Sequence, residues 1–229
     1  MYYGYYFGPE FIFLIPAILF AMYAQSKIQS AFNKYSRVGS RSGYTGAQVA
    51  RRILDKKGLY DVNIEYSPGK LTDHYDPRNK VLRLSSTVYN GTSLASLGVA
   101  AHEVGHAIQH ADGYSFLILR NTIAPIAGFG SRFVWLLIIV GFAFSAPSLV
   151  NAGIMLYLGV VLFQIITLPV EFNASKRALL QLETGDYLTQ DELIPTKKVL
   201  DAAALTYVAA TLTAIAQLLR LLALSRRRD

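Results

Sequence analysis

The chain has 229 residues, of which 52% are hydrophobic and only 16% charged, a composition too apolar for an ordinary soluble domain. Its net charge of +7 does not indicate nucleic acid, because the basic residues are not interleaved with aromatic ones in any nucleic-acid-binding module. They stand beside apolar runs, so a lipid bilayer is the expected partner. The chain has no cysteine, which excludes disulfides and thiolate metal ligands.

The N-terminal region predicts a membrane span. Tyrosines crowd the first eight residues, and Phe11 to Tyr23 is continuously apolar apart from Pro16. With its flanks this run reaches the roughly 20 residues that a helix needs to cross a bilayer, and the tyrosines are typical of an interfacial aromatic belt. No signal-peptide cleavage site follows, so we expect residues 1–26 to be retained as the first transmembrane helix.

The polar region that follows, residues 27–113, predicts a small α+β domain. Residues 45–57 form an amphipathic pattern with Val49, Ile53 and Leu54 on one side. Residues 62–66 and 80–85 are typical of short strands, and turn-forming residues lie between them at 68–69 and 76–79. The edge of such a sheet can pair with an extended peptide, although a purely structural sheet is an equally good interpretation.

Residues 96–110 predict a helix that carries the order His-Glu-x-x-His. His102 and His106 are four residues apart, so both imidazoles lie on one face and can point at one metal ion. Glu103 lies about 100° further round the helix, where it can reach a water molecule on the metal. The flanking residues are small or apolar, and buried polar groups need partners. The motif therefore predicts a zinc hydrolase with two histidine ligands and Glu103 as general base.

Three further spans are predicted after the motif. Residues 114–130, which include Arg120 and Pro125, indicate an interfacial segment or an extension of the second helix rather than a separate crossing. Residues 133–149 and 153–170 form a hairpin around a short connection at 147–151, and residues 202–224 form a fourth, weaker span. Three arginines at 226–228 are expected to face lipid head groups.

These predictions divide the chain into five segments. They are the first transmembrane helix (1–26), a peptidase domain with the small sheet and the motif helix (27–113), an interfacial segment plus a transmembrane hairpin (114–170), a helix with its connection (171–201), and the fourth transmembrane helix with a basic tail (202–229). Thr206, Thr211 and Gln217 offer hydrogen bonds within one protomer or between protomers, so a homo-oligomer is an open alternative.

A catalytic zinc site needs a third protein ligand. His110 shares the motif's helix, but three ligands at 102, 106 and 110 would spread over about 12 Å of helix rise. His74 lies in a predicted turn among acidic residues, which favours a solvated histidine. Glu171 follows the third span and is expected to open an amphipathic helix. Two crossings separate Glu171 from the motif, so both lie on the same side of the membrane. Glu171 therefore fits best as the ligand that completes a His₂Glu site.

The segments Ala-His-Glu-Val-Gly-His-Ala-Ile-Gln (101–109) and Val-Glu-Phe-Asn-Ala-Ser (170–175) resemble the YugP-like neutral zinc metallopeptidases of bacterial membranes. Residues 35–37, 42–46 and 73–77 extend the resemblance over nearly the whole chain. It implies an integral membrane zinc metalloendopeptidase that acts on a polypeptide through a gluzincin-like site. His102, His106 and Glu171 would then bind Zn²⁺, with Glu103 as general base.

The supporting residues depart from the gluzincin pattern. Many gluzincins carry Asp four residues after the ligand Glu, where it contacts a ligand histidine, whereas this chain has Ser175. That contact is then weaker or comes from elsewhere, with Asn173 and Asp186 as candidates. Three residues are open candidates for an oxyanion donor: Arg177, Tyr207 and His110. Arg177 is better explained as an interface residue that reaches lipid head groups.

We therefore expect an α-helical integral membrane protein with about four transmembrane helices and a small α+β gluzincin-like zinc peptidase domain. Basic residues near the spans mostly share the motif's side, so the positive-inside rule predicts a multi-pass cell-membrane protein with a cytoplasmic active site and both termini outside. A membrane-anchored metal-binding scaffold or chaperone partner without turnover is the main alternative. A transporter is disfavoured, because the spans carry few ionisable groups. The basic residues counted are Lys27, Lys34, Arg37, Lys176, Arg177, Lys197 and Lys198.

Overall fold

The computed structural model describes residues 9–69 and 72–226. The N-terminal tyrosines at 2–6 and the arginines at 227 and 228 lie outside the described residues, so the predicted aromatic belt and basic cap stay predictions. The described elements are a 3-10 helix (Pro9–Phe13), α1 (Leu14–Tyr35), α2 (Gly46–Lys56), β1 (Asn63–Ser67), β2 (His74–Asp76), β3 (Val81–Ser85), α3 (Ser86–Tyr89), α4 (Leu94–Ala111), α5 (Ser115–Ala143), α6 (Pro147–Thr184) and α7 (Gln190–Arg226).

Four helical segments are long and apolar enough to cross a membrane, as predicted: Glu10–Tyr35, Ser115–Ala143, Pro147–Thr184 and Gln190–Arg226. Residues 115–130 extend the second of them, which was one of the two predicted alternatives. The predicted connection at 147–151 is wrong. The turn lies at 144–146, where Ser145 adopts a φ of +51°, and α6 begins at Pro147. A fixed proline φ suits the first position of a helix.

Helix α6 also corrects the prediction that Glu171 opens a new helix. The helix runs without interruption from Pro147 through Pro169 to Thr184, so Glu171 lies well inside it. Proline removes one backbone donor, but long apolar helices tolerate this when neighbouring groups bind the freed carbonyls. The carbonyl that Pro169 frees is that of Ile165, four residues earlier. Separately, the hydroxyl of Tyr114 lies 3.5 Å from the carbonyl of Pro169, and Nε2 of Gln109 lies 2.8 Å from that of Val170.

The chain divides into two compact units. One contains the described residues up to Ala24, Leu119–Leu168, and those from Thr206 onward. Its apolar core is formed by Val134, Ile138, Val150, Ile154 and Leu221. Within this unit the hydroxyl of Thr211 donates to the backbone carbonyl of Tyr207 at 2.9 Å and lies 3.3 Å from the backbone carbonyl of Gln164. Thr211 therefore has partners inside one protomer, and the predicted homo-oligomer stays a prediction.

The second unit contains Gln25–Ile118 and Pro169–Leu205. Its sheet has the order β1-β3-β2, with β1 parallel and β2 antiparallel to β3. The two predicted strands are confirmed to within one residue. The prediction that His74 lies in a turn is wrong, because residues 74–76 form the edge strand β2 and the turn is confined to 77–80. Three residues are too few to show the alternation that identifies a strand.

Helix α4, which carries the motif, lies in the core of this second unit. It begins after Ser93, whose hydroxyl accepts from the amide of Ser96, and it ends before Gly113, which adopts a φ of +62°. Helix α2 begins with a reciprocal capping box between Thr45 and Gln48. The apolar face of α2 is buried in the same core as α4, and its members are Val49, Ile53 and Leu54. This burial gives the motif helix a rigid support.

Candidate metal centre

Helices α4 and α6 bring two imidazoles and one carboxylate together. The ring centroids of His102 and His106 are 4.8 Å apart, with the rings nearly perpendicular. Oε2 of Glu171 lies 3.2 Å from Nε2 of His102 and 3.6 Å from Nε2 of His106. One nitrogen or oxygen from each of the three residues lies within 4.8 Å of the others. The three residues predicted as ligands therefore meet at one point, although residue 171 is far from the motif in sequence.

The opposite ring nitrogens of both histidines have protein partners. Nδ1 of His102 lies 3.1 Å from Oγ of Ser175, and Nδ1 of His106 lies 3.0 Å from Oε1 of Gln109. Histidines that bind a metal through one nitrogen usually hold the other in this way, which fixes the ring orientation. Both Nε2 atoms are thus left facing Glu171. This donor set, with its supporting contacts, fits a zinc ion.

The charges around the site also favour a cation. Glu103 and Glu171 are both buried, with 9% and 2% of their surfaces exposed. Burial disfavours the protonated form of His106, but the hydrogen bond to Glu171 and the charges of Glu103 and Glu171 outweigh burial and raise the pKa of His106 above its usual value. Buried carboxylates require compensating positive charge. A divalent cation would supply it without protonating the imidazoles.

The supporting residues differ partly from the prediction. Ser175 itself contacts His102 through its hydroxyl. Asn173 contacts neither histidine but accepts from Gln109 at 2.9 Å. Asp186 lies in the turn after α6, with a φ of +54°. Gln109 was not predicted as a supporting residue, although its position three residues after His106 places both on one helix face.

Among the described residues, His74 and His110 are not members of the His-His-Glu group. His110 lies 2.9 Å from the hydroxyl of Tyr75 on β2. Tyr207 belongs to the other compact unit. His74 is on the exposed side of β2, with Nδ1 2.8 Å from the carbonyl of Thr72.

Arg177 is held by protein groups. Its Nε donates to Asn173 at 2.7 Å and its Nη1 pairs with Asp112. The interpretation of Arg177 as an interface residue that reaches lipid head groups stays a prediction. The guanidinium is bound by side chains of its own unit.

Comparison with known proteins identifies the family of the chain. A family model described as putative neutral zinc metallopeptidase matches residues 10–226. The "Putative membrane protease YugP" of Bacillus subtilis (strain 168) is 50% identical over 211 residues, which is 92% of this chain and 94% of that protein. No solved structure matches the chain. Zinc is the metal of this family, and His102, His106 and Glu171 form a group that could hold it. With four apolar helices and a match over nearly its whole length, this multi-pass membrane chain belongs to the family of putative neutral zinc metallopeptidases.

Proposed function

We propose that the chain is an integral membrane zinc metalloendopeptidase with a gluzincin-like centre, in which His102, His106 and Glu171 bind the zinc ion. The observation that carries this proposal is the convergence of Glu171 Oε2 on both Nε2 atoms, at 3.2 and 3.6 Å. Two imidazoles and one carboxylate are a ligand set of catalytic zinc, and three protein ligands leave one position open. A purely structural zinc site would be closed by four protein ligands.

The mechanism assigns the proton transfers to Glu103. Zinc in such a site lowers the pKa of water and polarises a carbonyl group. Glu103 is buried on α4 beside His102, and its charge is felt by His106. Its carboxylate takes a proton from the attacking water and delivers it to the amide nitrogen as the C–N bond breaks. Ser175 and Gln109 hold the two imidazoles in place.

An extended polypeptide is the proposed substrate, and β2 is the proposed docking strand. Within the described residues, β2 lies at the edge of the sheet. Its Tyr75 hydroxyl lies 2.9 Å from Nδ1 of His110 on α4, which ties this edge to the motif helix. A peptide added to the free edge of β2 would be held through backbone hydrogen bonds, as in other strand-addition complexes. The active site is proposed to face the cytoplasm.

Glu103→Gln tests the proposed function. The amide cannot act as a base, so cleavage of a denatured test protein by the detergent-purified variant should fall by about 10²–10⁴-fold. Zinc content should stay at the wild-type level, because the ligands are intact. Glu183→Gln, on the surface of α6, is the matched control and should keep full activity. Unchanged cleavage by Glu103→Gln would remove Glu103 as the base. A zinc-loaded wild type that cleaves nothing would favour the non-catalytic scaffold.

A further inference from the structure

Gln109 is a fully buried amide on α4, one turn after His106. Its Oε1 lies 3.0 Å from Nδ1 of His106. Its Nε2 donates to the backbone carbonyl of Val170 at 2.8 Å and to Oδ1 of Asn173 at 2.9 Å. One side chain thus connects a proposed zinc ligand to the backbone that immediately precedes another, Glu171.

The partners of Gln109 permit only one orientation of its amide. The carbonyl of Val170 can only accept, so Nε2 must face it. Oδ1 of Asn173 also accepts from Nε of Arg177 at 2.7 Å, and a guanidinium can only donate. Asn173 therefore cannot turn its own NH₂ group towards Gln109 without losing the bond to Arg177. Both constraints leave Oε1 of Gln109 facing His106.

An amide oxygen facing Nδ1 requires a hydrogen on that nitrogen. The neutral imidazole of His106 then has its lone pair on Nε2, the atom that lies 3.6 Å from Glu171. A carboxylate at position 109 could accept from His106 but could not also donate to Val170 and Asn173. A methionine has similar length and makes none of these bonds.

We propose that Gln109 is a positioning residue that selects the Nδ1–H tautomer of His106 and ties His106 to the helix of Glu171. The proposal rests on the proposed function, in which His106 binds zinc. Asn173 and Arg177 reinforce the orientation of the amide. Removal of an outer partner of a metal-ligating histidine lowers metal affinity by roughly 10–100-fold, so zinc retention should depend on Gln109 to that extent.

The test compares Gln109→Met with Ser175→Ala in the detergent-purified full chain. Zinc affinity is measured by competition with a chromogenic chelator, and ¹⁵N-histidine NMR follows the Nδ1–H protons of the zinc-loaded protein. The chain has only four histidines, which keeps the spectrum simple. Gln109→Met should weaken zinc binding by about 10–100-fold and abolish the protected Nδ1–H signal of His106 while that of His102 remains. Ser175→Ala should abolish the protected Nδ1–H signal of His102 and leave that of His106.

The outcomes separate this proposal from the proposed function. A wild type that binds no zinc overturns both. A wild type that binds zinc, with Gln109→Met binding it as tightly, overturns the role of Gln109 alone. Weaker binding with an intact Nδ1–H signal also overturns it, because that result indicates packing. If Gln109→Met does not fold, the wild-type spectrum decides: zinc on Nδ1 of His106 contradicts the proposal, and zinc on Nε2 with a protected Nδ1–H supports it.

Discussion

Glu171 is the residue on which the proposed centre most depends, because it supplies the carboxylate between two imidazoles. Loss of a residue that only supports a metal-binding histidine lowers metal affinity by at most roughly 100-fold. Because Glu171 is itself a proposed ligand, we expect Glu171→Ala to lower zinc affinity by more than that. Chelator competition on the purified protein measures this. Glu183→Ala, with its side chain bonded to Gln190 on the surface, is the control on the same helix and should bind zinc normally. Equal affinities for wild type and Glu171→Ala would exclude Glu171 as a ligand.

Single residues of the site differ in how far the sequence predicts them. His102, Glu103 and His106 share one helix, so their spacing alone predicts their relative positions. Glu171 required an argument from membrane crossings. A contact by Ser175 was one of two predicted alternatives, and it depends on how α4 packs against α6. The contact between Gln109 and His106 lies within α4 and follows from their spacing, whereas the bonds of Gln109 to Val170 and Asn173 depend on the packing of α6.

Packing between helices α4 and α6 explains why the motif contains Gly105. A Cβ at residue 105 would lie 2.6 Å from the backbone oxygen of Ala174, which is rigid and adjacent to Ser175. We expect Gly105→Ala to push α6 away, to destabilise the fold by about 1–3 kcal/mol and to weaken zinc binding. Thermal unfolding and chelator competition measure the two effects.

Gly98→Ala is the comparison for Gly105→Ala on the same helix. Its Cβ would lie 2.8 Å from Cγ2 of Thr196, a side-chain atom rather than backbone. Thr196 is buried and its hydroxyl donates to the carbonyl of Glu192, so Gly98→Ala should also lower the melting temperature. Zinc affinity should stay unchanged, because no atom of α6 lies within 4 Å of the added Cβ. If Gly105→Ala retained wild-type stability and zinc affinity, the position of Glu171 would not depend on the close contact at this glycine.

Whole elements were predicted where their pattern is long and missed where it is short or interrupted. The apolar runs and the α2 pattern span many residues, and the predicted helices are confirmed there. Strand β2 has only three residues, and it is held in the extended conformation by its pairing with β3. Its own sequence carries no strand pattern. At Pro169 the local rule for proline favours a helix end, but α6 continues through it to Thr184.

At the scale of the whole molecule, zinc should contribute to the free energy of unfolding. A ligand that binds only the folded state adds about 2.7 kcal/mol when its free concentration is 100 times the dissociation constant. For a chain of this size that corresponds to a melting temperature lowered by roughly 5–10 °C after chelation. Differential scanning fluorimetry in detergent, with zinc added back, measures the shift. The melting temperature of Glu171→Ala should change little on chelation or on addition of zinc. A wild type whose melting temperature changes with neither treatment would contradict a bound zinc.

The orientation of the chain across the membrane is also a property of the whole molecule. The positive-inside rule predicts a cytoplasmic site with both termini outside. The chain has no cysteine, so single cysteines can be labelled without background. Tyr60, 73% exposed in the unit that contains the site, is replaced by cysteine in one variant, and a second carries a cysteine appended to the C-terminus. A membrane-impermeant maleimide should label the C-terminal cysteine in intact cells and Tyr60→Cys only after permeabilisation. The reverse pattern would invert the orientation, and labelling of both in intact cells would contradict an odd number of crossings between position 60 and the C-terminus.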